Sequence, residues 1–316
     1  MQRLDFGTQE VEVVPWGDTH LLATPVESDT MSLHYLYIYS LSSSAPDHAL
    51  LILELPEPKP ELGETLMVYL MTTSIHHPTP GSHFCPDPTR SMVLVTHSAL
   101  TVEGESGAIC DAFHLLIPYT TLRSQIDAAS AIDGADSDSE SCGPPAPIPW
   151  EEWGPRTCLR LRLPLMLEYR IELTPLGSRM PVVRFDGPSG SESGASVYVF
   201  DIDPLAAQHL RAARNRRDSG WESTAVVEDV DAALPGVVDS ECAEIPYVVY
   251  RFTLPPSEYN ILAVQMTLTG FVVRVSSLKL LSSITDASPL DWSCAETLFQ
   301  FHSIIGYKDT EESWTV

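Results

Sequence analysis

Apolar and polar residues alternate along much of the chain with the two-residue period of half-buried β-strands. In residues 158–163, leucines fall on one face and arginines on the other, and Tyr35, Tyr37 and Tyr39 repeat in the same way. Other short runs are rich in β-branched and aromatic residues and are bounded by turn residues. The predicted strands are 34–40, 49–55, 65–73, 92–96, 112–117, 158–163, 167–173, 181–184, 196–202, 247–253, 261–267 and 271–275.

One segment, residues 204–215, has the pattern of a helix. Asp203 supplies an N-cap and Pro204 suits the first helical position. Leu205 and Leu210 follow at helical spacing, and arginines gather toward the end, where they complement the helix dipole. The sequence therefore predicts a single short helix in an otherwise β-rich chain.

Two acidic stretches, about 124–149 and 217–244, are predicted to be flexible loops. The first contains alternating serines and carboxylates and then a proline cluster, and the second is broken by Pro235 and Gly236. Neither has enough apolar residues to offset the entropy lost on ordering.

Short strands, frequent turns and little helix predict an all-β fold, of the propeller, sandwich or barrel type. About a dozen strands would form about three four-stranded blades, fewer than the four to eight of a closed propeller. We therefore predict one β domain over residues 1–316, an incomplete β-propeller-like array of four-stranded antiparallel sheets.

The charge of the chain limits its partners. Eighteen basic and 43 acidic residues give a formal net charge of −25. Such a chain repels phosphate groups, so nucleic acid and anionic membranes are excluded as partners. We expect a protein partner, whose identity the sequence does not give.

The beginning of the chain lacks the apolar segment of a signal peptide, and its six cysteines show no CxxC pairing. Reduced thiols and an intracellular location, cytoplasmic or nuclear, are expected.

Two clusters of side chains suggest binding chemistry. His76, His77, His83 and Cys85 are zinc-type ligands, but the segment lacks a second pair at finger spacing, so no metal site is predicted. Arginines at positions 211, 214, 216 and 217 form a basic patch, interpreted as a solvated helix end or as a contact for acidic groups.

Several short sequence motifs occur in a defined order along the chain. Pro-Trp-Glu-Glu-Trp-Gly-Pro at residues 149–155 is followed at once by a predicted strand, and Pro-Asp-Pro-Thr-Arg-Ser-Met at 86–92 also leads into one. Residues 113–122 lie between them, and 197–204 and 245–247 follow. The first phrase is the most specific, and its residues are Pro149, Trp150, Glu151, Glu152, Trp153, Gly154 and Pro155.

In this order and spacing the phrases resemble the C-terminal region of a family of F-box proteins of mushroom-forming fungi, from about residue 73 onward. The resemblance implies a propeller-like β domain that recognises substrates for a cullin-type ubiquitin ligase. No F-box-like segment precedes the β region here, so docking onto the ligase is not expected. The motif at residues 149–155 is expected to be structural, with the two tryptophans packed in the core.

No catalytic motif is present: the chain lacks GxSxG, GxxxxGK[ST], HExxH and a helix-opening GxGxxG. We therefore predict a non-catalytic protein-recognition domain without a cofactor. The alternative is a carbohydrate-binding or carbohydrate-hydrolysing all-β protein that uses an unrecognised carboxylate pair. A third hypothesis is that the chain is a fragment with no independent activity.

Overall fold

The computed structural model describes residues 10–29, 34–41, 48–56, 65–73, 87–103, 107–133, 145–165, 171–185, 194–215, 226–242, 244–254, 259–267, 270–277 and 296–302. Sixteen strands lie in these residues. They are β1 Val11–Trp16, β2 His20–Pro25, β3 Glu27–Asp29, β4 Tyr35–Ser40, β5 Leu51–Glu54, β6 Thr65–Thr72, β7 Met92–Glu103, β8 Gly107–Pro118, β9 Leu159–Leu165, β10 Glu172–Thr174, β11 Arg179–Phe185, β12 Ala195–Asp201, β13 Val248–Thr253, β14 Tyr259–Met266, β15 Gly270–Ser277 and β16 Glu296–His302.

The described residues also contain four α-helices and two 3₁₀ turns. The helices are α1 Tyr119–Asp133, α2 Trp150–Trp153, α3 Pro204–Asn215 and α4 Val230–Ala233, and the turns are Pro88–Arg90 and Ser240–Cys242. The prediction of a mostly β chain is confirmed, and α3 has the predicted bounds. The prediction of a single helix is wrong.

The sequence predicts one domain over residues 1–316; within it, the chain folds into two compact units. The first unit comprises Met1–Leu167 and Asp229–Pro246, and the second comprises Glu168–Glu228 and Tyr247–Val316. Each unit contains two sheets and is described separately below.

In the first unit a four-stranded sheet, β1-β2-β4-β5, accompanies a five-stranded sheet, β3-β6-β7-β8-β9, and every strand pair in them is antiparallel. The chain passes from one sheet to the other at Val26, between β2 and β3. The Val26 N–H donates to the Glu10 carbonyl at 3.0 Å, and the Val26 carbonyl accepts from the Val68 N–H at 2.9 Å. A strand that changes sheets in this way forms a corner of a two-sheet structure.

The apolar core of this unit is built from both sheets. The first sheet contributes Leu22, Leu36 and Ile38, all 0 % exposed, and the second contributes Val93 and Val95, also 0 % exposed. Because side chains alternate along a strand, these residues occupy only one face of each sheet. The opposite face of β4 carries Tyr35, Tyr37 and Tyr39.

Helix α1 also packs against this core, although a loop is predicted from residue 124. Leu122 is fully buried, Ile126 is nearly so, and Ala129 is partly buried against them. Their spacing places them on one side of a helix, and burial of this stripe stabilises it. The loop prediction is therefore wrong for residues 124–133; residues 134–144 lie outside the described part of the chain.

The second predicted loop also contains regular structure in its described part. Helix α4 begins after Asp229, whose carboxylate accepts a hydrogen bond from the Ala232 N–H at 2.9 Å. Farther along, the Arg162 N–H donates to the Val237 carbonyl at 2.7 Å, and the Asp239 N–H donates to the Arg160 carbonyl at 3.0 Å. Residues 237–239 thus extend the five-stranded sheet beyond β9.

The second unit has a three-stranded sheet, β11-β12-β13, and a four-stranded sheet, β10-β14-β15-β16, in which β10 pairs with β14 in parallel. The two sheets share a core that includes Val197, Val199 and Val273. Between them Phe252 and Phe271 meet edge to face, with ring centroids 5.1 Å apart. All seven residues of β12 are buried, so both faces of this strand are covered.

Candidate functional site

The motif at residues 149–155 forms a compact anchor in the first unit. Trp150 and Trp153 are three positions apart in α2, so both indoles lie on one side of the turn, while Glu151 and Glu152 are exposed. Trp153 is 1 % exposed and Trp150 is 9 % exposed, and both belong to the core of this unit. The indoles are therefore packing residues and not an open stacking platform.

Specific contacts fix this anchor. The Trp153 indole N–H donates to the Glu54 carbonyl at 2.9 Å, and the two indoles meet edge to face with centroids 5.2 Å apart. Gly154 follows directly, and a Cβ atom there would lie 2.0 Å from the Trp150 ring. This close approach is the physical reason that glycine follows the second tryptophan.

Other candidates from the sequence lie mostly outside the described residues. This holds for His76, His77, His83 and Cys85, and for Arg216 and Arg217. Arg211 is exposed on α3. Of the six cysteines, Cys158 and Cys242 have described side chains, and both are buried.

A buried polar cluster occupies the edge of the first core. Arg160 of β9 is 5 % exposed, although its alternation with leucines predicts a solvent-facing side chain. Its guanidinium lies 3.6 Å from the Asp239 carboxylate and 4.5 Å from the centroid of the Phe113 ring. Residues 237–239 cover Arg160. The sequence of β9 alone does not predict this contact, because residue 239 is distant in the chain.

Two histidines lie beside this ion pair. His97 of β7 is 2 % exposed, and its ring centroid is 5.7 Å from that of His34, which precedes β4. Burial, together with the nearby His34, Arg160 and His114, lowers the pKa of His97 to about 3. Burial also lowers the pKa of His34. Both imidazoles are therefore neutral at pH 7. Residues 237–239 are joined to β9 by backbone hydrogen bonds and by the ion pair between Asp239 and Arg160.

The outer face of the first sheet carries a different kind of surface. We call it the tyrosine face and define it by Val13, Leu21, Ala23, Tyr35, Tyr37, Tyr39 and Ile52. Strand register aligns Val13, Ala23, Tyr37 and Ile52 in one row across all four strands. The row is apolar from edge to edge.

The tyrosine face is partly accessible to solvent. Val13 is 43 % exposed, and Tyr35, Tyr37 and Leu21 are half-buried. Ala23, Tyr39 and Ile52 are buried and form a small apolar cluster beneath them. The rings of Tyr35 and Tyr37 lie 6.2 Å apart at an interplanar angle of 59°. Burial first, and the neighbouring Tyr35 second, raise the pKa of Tyr37, so its hydroxyl stays neutral at physiological pH.

Sequence reasoning detected the alternation of the tyrosines but did not identify this face as a site. The sequence does indicate such a face, because Leu36 and Ile38, which alternate with the tyrosines, are apolar as well and fill the opposite face of β4. When both faces of a strand are apolar, each face must pack against another part of the protein. An apolar face that stays exposed is typical of a binding surface.

No family model, curated protein or solved structure matches this chain. Within the described residues, no group of three or more His, Cys, Asp or Glu side chains is placed to hold a metal ion. No helix in that part of the chain is long and apolar enough to cross a membrane.

Replacing Trp153 with alanine should lower the free energy of unfolding by about 3–5 kcal/mol, the usual cost of emptying a large buried aromatic site. Urea denaturation followed by far-UV circular dichroism measures this change. The matched control is Leu205→Ala, because Leu205 is 48 % exposed on α3. Equal stability of the Trp153 variant and the wild type would contradict the role of the indole as an anchor.

The depressed pKa of His97 should make stability depend on pH. Between pH 6.5 and about pH 3 the unfolded chain binds a proton at this imidazole and the folded chain does not. The free energy of unfolding should therefore fall as pH decreases, by about 1 kcal/mol from pH 6 to pH 5 for this residue. Urea denaturation at pH 6 and at pH 5 measures this change in the free energy of unfolding.

His97→Leu should remove that part of the pH dependence, whereas His48→Gln, at an exposed position, should leave it in place. An unchanged pH dependence in His97→Leu would show that His97 is not neutral and buried in the folded chain.

Proposed function

We propose that this chain is a non-catalytic protein-recognition module that binds its partner through the tyrosine face. The observation that carries the proposal is the apolar row across the first sheet, in which Val13 at the edge is exposed and Tyr37 is half-buried, while Ala23 and Ile52 are buried. This role corresponds to the substrate-binding part of the F-box family that the sequence resembles.

The chemistry of the face supports protein recognition. Tyrosine is enriched in protein interfaces, since it offers a large contact area with few rotatable bonds. The face lies on four paired strands, so its side chains are held in a fixed arrangement before a partner arrives. Little conformational entropy is then lost on binding.

The edge of β6 is less suited to binding a strand from another protein. Beyond its pairing with β3, the Leu70 N–H donates to the Glu12 carboxylate at 2.7 Å. A side chain that occupies an edge N–H protects the edge against pairing with another chain. Tyr69 and Met71, on either side of Leu70, are exposed at 43 % and 44 %.

We also propose that the sheets are blades of an incomplete propeller-like array. Apart from the added strands β3 and β10, each sheet is an antiparallel set of strands in chain order, and each shares an apolar core with the other sheet of its unit. All seven residues of β12 are buried, as expected for the inner strand of a packed blade.

A carbohydrate-binding function is the second candidate, and the same observation supports it. Partly exposed tyrosine rings can stack on sugars as well as on protein side chains. The experiment below separates the two functions.

A Tyr35→Ser/Tyr37→Ser double variant should lose the partner proteins that the wild-type chain captures. Affinity purification with quantitative mass spectrometry would compare wild type, the double variant and a Leu205→Ser control. We expect one set of proteins enriched with wild type and control and absent with the double variant. Circular dichroism first establishes that all three chains are folded.

Equal recovery of the same proteins by all three baits would contradict the proposal. Retention of the wild type, but not of the double variant, on a polysaccharide resin would instead establish the carbohydrate function.

A further inference from the structure

Strand β1 forms an edge of the first sheet: within the described residues it pairs with β2 on one side and with no strand on the other. The Val26 N–H donates to the Glu10 carbonyl at 3.0 Å, so these two residues form a hydrogen-bonded pair. In an antiparallel ladder such pairs alternate with pairs that are not hydrogen-bonded. The even-numbered residues of β1 therefore bond to β2, whereas Val11, Val13 and Pro15 direct their backbone groups away from it.

This outer edge of β1, residues 11–15, offers a row of backbone donors and acceptors to an incoming strand. Val11 and Val13 each present an N–H and a carbonyl, and Pro15 presents a carbonyl alone because proline has no N–H. Val13 is 43 % exposed, Pro15 is exposed and Val11 is half-buried. The edge is therefore open to solvent at its centre.

The other side of the same sheet is covered by the chain itself. Along β5, the Ile148 N–H donates to the Ile52 carbonyl and the Glu54 N–H donates to the Ile148 carbonyl, both at 2.9 Å. The five-stranded sheet is extended in the same way beyond β9 by residues 237–239. Edges that remain open are sites at which another chain can pair.

No protective device occupies the edge of β1. The register of β1 with β2 is continuous from Val11 to Trp16, without a bulge, and the strand contains no lysine. Glu12 belongs to the row of residues that faces the core, and its carboxylate accepts from the Leu70 N–H of β6 at 2.7 Å. That hydrogen bond protects the edge of β6 and leaves Val13 exposed.

The charge around this edge selects the kind of strand that can pair with it. Glu10 and Asp18 are exposed beyond its two ends. Residues 4–58, which include the whole first sheet, contain nine aspartates and glutamates and neither lysine nor arginine. A second copy of the chain would bring two net charges of −25 together, whereas a segment with basic ends complements the edge.

From these observations we propose that the edge of β1 binds an extended segment of a protein partner by strand addition. The segment has alternating apolar residues and carries basic residues at its ends. Its backbone exchanges hydrogen bonds with Val11 and Val13, and its apolar side chains continue the row that begins at Val13. The proposal rests on the proposed recognition function and names the kind of segment that is recognised.

Fluorescence polarisation with a defined peptide tests the proposal. The probe is a fluorescein-labelled peptide in which three valines alternate with threonines between two lysines at each end. Two matched peptides carry backbone N-methyl groups, on the valines in one and on the threonines in the other. Every strand pair of this sheet is antiparallel, and in an antiparallel addition the residues on the face of Val13 direct their N–H groups at β1.

Methylation of the valines should therefore weaken binding by about tenfold or more, the combined value of two or more backbone hydrogen bonds. Methylation of the threonines, whose N–H groups point away from β1, should leave the affinity close to that of the unmethylated peptide. Equal affinities of the three peptides, or no binding of the unmethylated peptide to the wild type, would overturn the inference.

Variants of β1 assign the interaction to this edge. Val13→Pro removes an outward N–H and no ladder bond, a change tolerated at edge positions, and should weaken peptide binding by about two- to tenfold. Val13→Thr keeps the N–H and is the matched control, with binding close to wild type. Glu10→Gln combined with Asp18→Asn should weaken binding and reduce its salt dependence. Circular dichroism establishes that each variant is folded; the methylated peptides decide the question independently of Val13→Pro.

Further measurements separate this inference from the proposed function. Size-exclusion chromatography should show a monomer, and a dimer that Val13→Pro abolishes would make the occupant a second copy and overturn the choice of partner. Capture of partners that requires Tyr35 and Tyr37 but is unaffected by Val13→Pro would overturn the inference and leave the recognition function intact. Capture that neither the tyrosine double variant nor Val13→Pro changes would overturn both.

Discussion

Strands that are apolar on both faces impose the main constraint on this fold. An apolar sheet face left in water costs free energy in proportion to its area, so a sheet of such strands must be covered on both sides. In the second unit, β12 meets this requirement with all seven residues buried. In the first unit, β4 meets it on one side with Leu36 and Ile38, while its other side carries the tyrosine face. Recognition is therefore proposed where the covering is incomplete.

Two arginines, Arg160 and Arg251, pack against aromatic rings of neighbouring strands. Arg160 is buried between a carboxylate and an aromatic ring, and Arg251 lies over Tyr198 and donates to the Ser196 hydroxyl. Both rings are buried, since Phe113 is 3 % and Tyr198 2 % exposed, so these arginines cover aromatic residues of the sheets. The chain as a whole has 18 basic residues against 43 acidic ones, so such arginines are a minority of its charged residues.

The buried cluster around Arg160 has a structural role, whereas the tyrosine face is proposed to bind a partner. The cluster is shielded from solvent, and its ion pair joins Asp239 of the added segment to Arg160 of β9. The tyrosine face has no buried charge and lies on paired strands whose positions the tryptophan anchor helps to fix, through the bond from Trp153 to the Glu54 carbonyl. A binding surface on such a scaffold is held rigid before contact with a partner.

Local pattern alone determined the β character of the chain, the approximate place of most strands and the bounds of α3. Alternation marks a strand wherever one face is buried, and the Asp203–Pro204 pair marks a helix start through its own backbone chemistry. Sequence reasoning missed β1 to β3, where Pro15 and Pro25 interrupt the pattern, and also β16. It missed α1, whose apolar stripe is only three residues wide, and the one-turn helices α2 and α4. Packing between residues distant in the chain decided the rest. Burial of Arg160 depends on residue 239, and the tyrosine face exists only because register aligns Val13, Ala23, Tyr37 and Ile52 across four strands. Such alignments depend on tertiary packing, which no local window of sequence contains.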